Sequence, residues 1–361
     1  MRFIYILIMV LLVAQGLWGI TLYGLHWWLR PVLTELVRLR IWMVAGLVLA
    51  NLSMLAPHYL VPARQWHWLI GLLLFAFYGF VLTLVLAALQ AILIRWFPVV
   101  RVHSLVRMAV PVLVLVLLVW GWAGAYLPQV VRYQVSVDKP LAQPLRIALI
   151  SDTHFGHVIG KQHIRRLADI VNKEQPDIIL LAGDIMDDLP DAFIQKDMAS
   201  ALRKVKAPLG QYAVLGNHDN YRHVQSAIVE ATEAGGFTVL RDETRIIDNR
   251  FVLVGRRDKE EQRQTPEEII TDSDMPIIVL DHQPADVDLV AQTDADIMMV
   301  GHTHAGQVFP GTLLVGLFQR YTHGHYRQGK LQLFVTSGFG LWGVPLRIGT
   351  RAEVAIIDLL P

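Results

Sequence analysis

Four stretches without a charged side chain, residues 3–29, 41–63, 65–94 and 108–131, fill most of the N-terminal third of this 361-residue chain. Crossing a bilayer takes about 20 mostly apolar residues rising 1.5 Å each, and all four are long enough. Arg residues separate them. The spacing predicts membrane spans near 3–24, 41–57, 68–93 and 108–127, so residues 1–130 are expected to form a bundle of about four transmembrane helices. Pro57 and His58 shorten the second span. Trp27, Trp28, Trp66, Trp68, Trp96 and Trp122 cluster near the ends, as interfacial aromatic belts do. A cleaved signal peptide is the other reading of the first stretch, but it is too long for one and has no clear A-x-A site. The spans contain no acid, which weighs against a transporter built on intramembrane carboxylates.

Orientation follows the basic residues. The loops after the first and third spans hold Arg30, Arg38, Arg40, Arg95, Arg101 and Arg107, and the other side holds Arg2, Arg64, Arg132 and Lys139. The excess places those two loops inside. A multi-pass cell (inner) membrane protein with an extracytoplasmic C-terminal part is expected, and a cytoplasmic one is the alternative. The net charge of +1 conceals a split: residues 1–135 sum to +8 and the rest to −7. An acidic globular part is a poor nucleic-acid binder. With no Cys in the chain, disulfides, thiolate metal sites and Cys nucleophiles are excluded.

Residues 131–144, punctuated by Pro140 and Pro144, are expected to link the membrane part to a domain over 145–361. There, short apolar runs predict strands at 146–151, 177–181, 212–215, 251–255, 277–280, 297–300, 331–336 and 353–358. Helical spacing is read at 161–174, 192–206 and 221–234. Strand–helix alternation implies a layered α/β domain. Chemistry-bearing side chains then fall just beyond strand ends, where ligand sites of such sheets lie. They are Asp152 and His154 in D-T-H, Asp184 and Asp187 in G-D-I-M-D, Asn217, His218 and Asp219 in G-N-H-D, His282 in D-H-Q-P, and His302 and His304 in G-H-T-H. Gly183, Gly216 and Gly301 precede them and allow close backbone approach. Imidazole and carboxylate together suit first-row divalent metals, and the donors suffice for two ions sharing a central carboxylate.

These five ordered blocks resemble the calcineurin-like metallophosphoesterase superfamily, over roughly residues 145–361. Gly301–Gln307 in G-H-T-H-A-G-Q and the later Ser337-Gly338-Phe339-Gly340…Arg347 resemble its YkuE-type branch. The resemblance implies a four-layer αββα sandwich. It implies that Asp152, His154 and His304 hold one metal ion and that Asn217, His282 and His302 hold the other, with Asp184 bridging. His218 would face the substrate as the catalytic acid, and Asp219 would orient it. Two divalent ions (Mn, Fe, Zn or similar) are the implied cofactors. The implied reaction is attack of a metal-bridging hydroxide on phosphorus. His157, Tyr221 and Arg222 are candidate substrate contacts, each with a bland alternative as a loop or solvated-helix residue. Asp187 and Asp188 are read as supporting or capping groups, and His323 and His325 as loop residues.

Two apolar stretches remain, 312–318 (TLLVGLF) and 338–346 (GFGLWGVPL). They are either the edge of a core or a surface that meets a membrane or an acyl chain. The expectation is a membrane-anchored phosphodiesterase or phosphatase. Its partners would be the bilayer and a phosphorylated substrate, a lipid-linked or envelope molecule being favoured. The rivals are a cytoplasm-facing pyrophosphatase acting on a nucleotide-linked lipid precursor and a non-catalytic metal- and phosphate-binding scaffold.

Overall fold

The computed structural model describes residues 84–361 together with Gly19, residues 77–79, Val81 and Leu82. The spans expected near 3–24 and 41–57 lie outside the described residues, as does the first part of the one near 68–93. The remainder of that third span is helix α1, Phe77–Leu93. Helix α2, Val99–Tyr126, is the only helix among the described residues that is long and apolar enough to cross a membrane, with a mean hydropathy of 2.3. A four-span bundle is therefore not what the described residues show. Helix α2 also begins nine residues before the expected span, so Arg101 and Arg107 lie within it rather than in a loop. Two compact units divide at Trp120 and Gly121. In the first, Leu86 packs with Val102 and Val106. The last residues of α2 belong to the second.

The second unit contains two six-stranded sheets. One runs β1 (Gln129–Ser136), β12 (Glu353–Leu360), β2 (Leu145–Ile150), β3 (Ile178–Ala182), β4 (Gln211–Val214), β5 (Thr238–Val239). The other runs β10 (Gly324–Gln328), β11 (Leu331–Val335), β9 (Ile297–Val300), β8 (Ile277–Leu280), β7 (Phe251–Gly255), β6 (Glu243–Ile247). The β2–β3–β4–β5 and β7–β8–β9–β11 ladders are parallel. The central strands are buried on both faces, which explains their almost wholly apolar sequences, Arg146 of β2 being the exception.

Period-two alternation sorts these side chains into three apolar layers. Leu145, Ile147 and Leu149 of β2 meet Ile297 and Met299 of β9 between the sheets. Ala148 and Ile150 point outward to Ile164, Leu167, Ala168 and Val171, the buried stripe of helix α3, Lys161–Glu174. Met298 and Val300 face the other way, toward Ile269, Val287 and Val290 on single helical turns. Helix, sheet, sheet and helix thus stack in the expected order.

Three sequence expectations shift. Residues 131–136 were expected to lie in the linker, yet together with 129 and 130 they form β1, paired in parallel with β12 over eight residues. Their alternation was legible: Tyr133 and Val135 pack on the inter-sheet core. The helix expected over 192–206 is two single turns, Asp191–Gln195 and Ala199–Leu202, broken where Asp197 takes φ 48°. The helix expected over 221–234 starts only at Gln225 (α5, Gln225–Ala234), because His223 takes φ 56°. Short polar residues tolerate this left-handed backbone and so end helices.

Leu149 is fully buried at the centre of the inter-sheet layer. Leu149→Ala should cost about 2–5 kcal/mol of stability through lost burial and a cavity, read from the thermal unfolding of the detergent-solubilised chain. An unshifted transition would contradict this placement of the core.

Candidate metal centre

Five parallel strands deliver the site, and they come from both sheets: β2, β3 and β4 from one, β8 and β9 from the other. The structure brings the carboxyl ends of two facing sheets together. Backbone hydrogen bonds lock the turns to each other. Asp152 N–H donates to the Gly183 carbonyl at 3.0 Å, His154 N–H to the Asp184 carbonyl at 3.0 Å, and Gly301 N–H to the His282 carbonyl at 2.9 Å.

Asp152, His154 and His304 form one buried group of potential ligands, and Asp184, His282 and His302 form a second. In the first, His154 Nε2 and His304 Nε2 face each other at 3.3 Å, and His304 Nε2 lies 3.5 Å from Asp152 Oδ1. In the second, Asn217 Oδ1 lies 3.0 Å from both His282 Nε2 and His302 Nδ1, which are themselves 3.3 Å apart. Asp184 Oδ2 is 3.3 Å from His282 Nε2 and 3.8 Å from His154 Nε2. One carboxylate oxygen therefore reaches both groups.

The donor set fits two divalent cations. Two ring nitrogens 3.3 Å apart can share an ion at about 2.1 Å from each, with an angle of about 100° between them. The tautomer of His282 is set by its Nδ1, which faces the Ala182 carbonyl at 2.8 Å and leaves Nε2 to the cluster. Burial holds His154 down at about 3 and His302 down at about 4, so both rings are neutral with lone pairs available. His304 is lowered by burial, with His154 and Arg347 adding to the effect. Burial raises Asp152 to about 6, and Asp184 beside it adds to the rise. Asp184 is depressed despite its burial because His282, His154 and His218 surround it. His282 rises in turn, since Asp184 and Asp152 outweigh its desolvation. Buried charge of this kind calls for a positive partner.

The backbone is strained to assemble the cluster. Asp152, His154, Asp184, His302 and His304 all take positive φ, between 42° and 72°. Such conformations cost of order 1 kcal/mol or more each and gather at functional sites. Two glycines are there for space. A Cβ on Gly301 would overlap the Ser151 hydroxyl and the Asp152 carboxylate, and one on Gly216 would overlap the Asp184 carboxylate.

His218 sits on the one-turn helix α4, Asn217–Asn220, with its ring 5.0 Å from that of His154. Asp219 was expected to orient it and does not. The Asp219 carboxylate accepts instead from the backbone N–H groups of Ile185, Met186 and Gly216, fixing the β3 and β4 turns. Burial then raises it to about 7, with Asp184 adding to the rise. Asp188 orients His218, its Oδ1 lying 2.6 Å from Nδ1. Burial opposes the charged ring, but Asp188, Asp184 and Asp219 outweigh it, so His218 is raised. The signal for Asp188 was a second acid after G-D-I-M-D, too common in loops to single out. Asp187 lies beside the Gly156 turn.

The candidate substrate contacts separate. The Tyr221 hydroxyl is 2.5 Å from Asn217 Nδ2 and its ring is 4.8 Å from that of His218. Arg222 is exposed but close enough to Asp188 to lower its pKa. His157 is exposed, and among the described residues no contact joins it to the cluster. His323 faces Glu353 at 3.0 Å, and His325 of β10 stacks on Phe334 of the paired strand β11, so neither joins the cluster. Arg347 is buried, and its Nη2 donates to the carbonyls of Ser337, Gly338 and Gly340 while lying 3.4 Å from His304 Nδ1. Behind His282, buried Arg256 pairs with Asp281, whose carboxylate accepts the His282 N–H. Sequence reasoning passed over this support.

The sequence model of the calcineurin-like phosphoesterase family matches residues 145–306. An uncharacterized metallophosphoesterase of Helicobacter pylori is 31% identical over 265 residues, covering 68% of this chain and 69% of that protein. A zebrafish protein named transmembrane protein with metallophosphoesterase domain is 32% identical over 267 residues, covering 68% of this chain and 60% of that one. Phosphodiesterase YaeI of Escherichia coli is 28% identical over 251 residues, covering 64% of this chain and 88% of that one. The chain belongs to the calcineurin-like metallophosphoesterase family.

Proposed function

We propose that this chain is a membrane-anchored, dinuclear metal-dependent phosphohydrolase that cleaves a phosphoester or pyrophosphate on a lipid-linked or envelope substrate. The observation that carries the reading is the Asp184 carboxylate, whose one oxygen faces both ligand groups at 3.3 and 3.8 Å. In this reading Asp152, His154 and His304 would hold one ion and Asn217, His282 and His302 the other, with the Asp184 carboxylate within reach of both. Two such ions would supply Lewis acidity to an attacking water and to the phosphoryl oxygens.

The chain's own residues do the rest. With Nδ1–H donated to Asp188, which favours the protonated ring, His218 presents Nε2–H to the leaving oxygen. Asp188 is a positioning residue that acts through His218. Tyr221 and Trp342 flank that ring. The name of the Escherichia coli relative favours a diester. The zebrafish relative's name and the apolar helix α2 support a membrane anchor. The multi-pass arrangement and the extracytoplasmic placement rest on the uncharged stretches and the Arg asymmetry.

Three outcomes are expected. Asp184→Ala should lose bound metal, measured by elemental analysis, together with turnover of a phosphodiester in detergent with Mn²⁺; retained turnover would sink the reading. Asp188→Asn should slow an alkyl phosphodiester about 10–100-fold and a p-nitrophenyl ester much less, because a good leaving group needs little protonation. Equal losses would make Asp188 merely structural. Exposed Lys259→Cys supplies the only thiol of the chain. It should react with an impermeant maleimide in intact cells; labelling only after lysis would put the domain in the cytoplasm and bring the nucleotide-linked lipid substrate forward.

A further inference from the structure

Helix α6, Gly311–Phe318, contains no buried residue. Leu313, Leu314, Leu317 and Phe318 are 66%, 48%, 75% and 83% exposed, and the helix has no charge. Neighbouring Phe309 is 40% exposed and Trp342 51%. A helix that is apolar all round does not face water. The occupant is indicated by what else is fixed to the same loop. Phe309 N–H donates to the Ile348 carbonyl at 2.8 Å, and Thr312 lies against Gly349. From its other side, this loop holds the end of α2. Arg347 N–H donates to the Gly121 carbonyl at 2.9 Å, and Ala352 N–H to the Gly124 carbonyl at 2.8 Å. Residues 346–352 thus pin the end of the candidate span and the base of α6 together.

The charge at that level suits a bilayer surface. Exposed Arg166 donates to the Tyr126 carbonyl at 2.6 Å, and exposed Arg351 to the Leu127 carbonyl at 2.8 Å. Both complement the helix C-terminus and lie where anionic headgroups would be. The Trp122 and Tyr126 rings lie 5.9 Å apart at the end of α2, and aromatics of this kind are enriched where spans meet the interface. The apolar surface also reaches the centre. Gln307 clamps the Trp342 backbone by hydrogen bonds of 2.8 and 3.0 Å, and the Trp342 ring lies 5.8 Å from that of His218.

We propose that α6, Phe309 and Trp342 insert into the interfacial layer of the bilayer, and that an amphiphilic phosphodiester enters the metal centre laterally from the membrane past Trp342. The substrate-access half rests on the phosphoesterase reading above; the insertion half does not. It is tested in the full chain reconstituted into nanodiscs of phosphatidylcholine and phosphatidylglycerol. Phe318→Cys and, as a control, Lys259→Cys carry a nitroxide. At 318 the ratio of oxygen to nickel-chelate accessibility should exceed that at 259 at least several-fold. Equal ratios would overturn insertion. So would a label at 318 shielded from both reagents, which would mean that protein, a second copy or another part of the chain, covers the helix.

Access is read with two esters that have the same scissile bond, hexadecyl p-nitrophenyl phosphate in the nanodisc and ethyl p-nitrophenyl phosphate in solution. Leu317→Glu with Phe318→Glu should cut the hexadecyl-to-ethyl turnover ratio at least tenfold and leave ethyl turnover unchanged. An unchanged ratio, or equal loss on both esters, would overturn lateral access. If the wild-type chain with Mn²⁺ hydrolyses neither ester, the phosphoesterase reading fails, while the nitroxide result still decides insertion.

Discussion

Two buried carboxylates and four imidazoles held within a few ångströms of one another govern what the surrounding structure must do. Asp152 and Asp184 repel, and so would His154 and His304 if both were charged. No arrangement of these groups alone satisfies all of them. The protein holds them by other means. Ser151 and the His302 N–H brace Asp152, the His218 N–H braces Asp184, and the Ala182 carbonyl orients His282. The parallel strands place five turns close enough for this, and the left-handed residues there are the strain that remains.

The folded core and the site stand in a common relation. The residues before each ligand are among the most buried apolar positions of β2, β3, β4, β8 and β9. Packing of both sheets against a shared layer fixes where the strands end, and the ligands follow within a few residues. The two ligand groups also mix the sheets. The first joins Asp152 and His154 after β2 to His304 after β9, and the second joins Asp184 after β3 to His282 after β8. A shift of one sheet against the other would open both groups at once.

Much of this was legible in the sequence because its signals were local. Unbroken apolar runs marked buried strands, and three of them, at 251–255, 277–280 and 297–300, have the expected limits. The helix at 161–174 showed its 3.6-residue stripe, and the ligand candidates followed strands in order. What escaped was set by tertiary contact. Asp188, rather than Asp219, meets His218 because the β3 turn doubles back over α4, which no spacing of residues reveals. Asp219 is adjacent to His218 in sequence, but its carboxylate is taken up by backbone N–H groups of the neighbouring turns. Which strands share a sheet was hidden for the same reason, and so was β1, whose partner lies more than two hundred residues away. Proline punctuation around it suggested a connection where the backbone ladder makes a strand.

That strand changes the character of the attachment. Between Tyr126, where α2 ends, and Gln129, where β1 begins, only two residues intervene. Over its whole length β1 is hydrogen-bonded to β12, which lies between it and β2. Among the described residues, the first strand in chain order therefore waits for the last before it has a neighbour. Until β12 arrives, β1 and β2 each present an unpaired edge close to the end of α2. Closure of the sheet is thus a late event in the life of the nascent chain, and a molecule stalled or clipped before residue 353 would display two sticky edges rather than a slightly shortened domain.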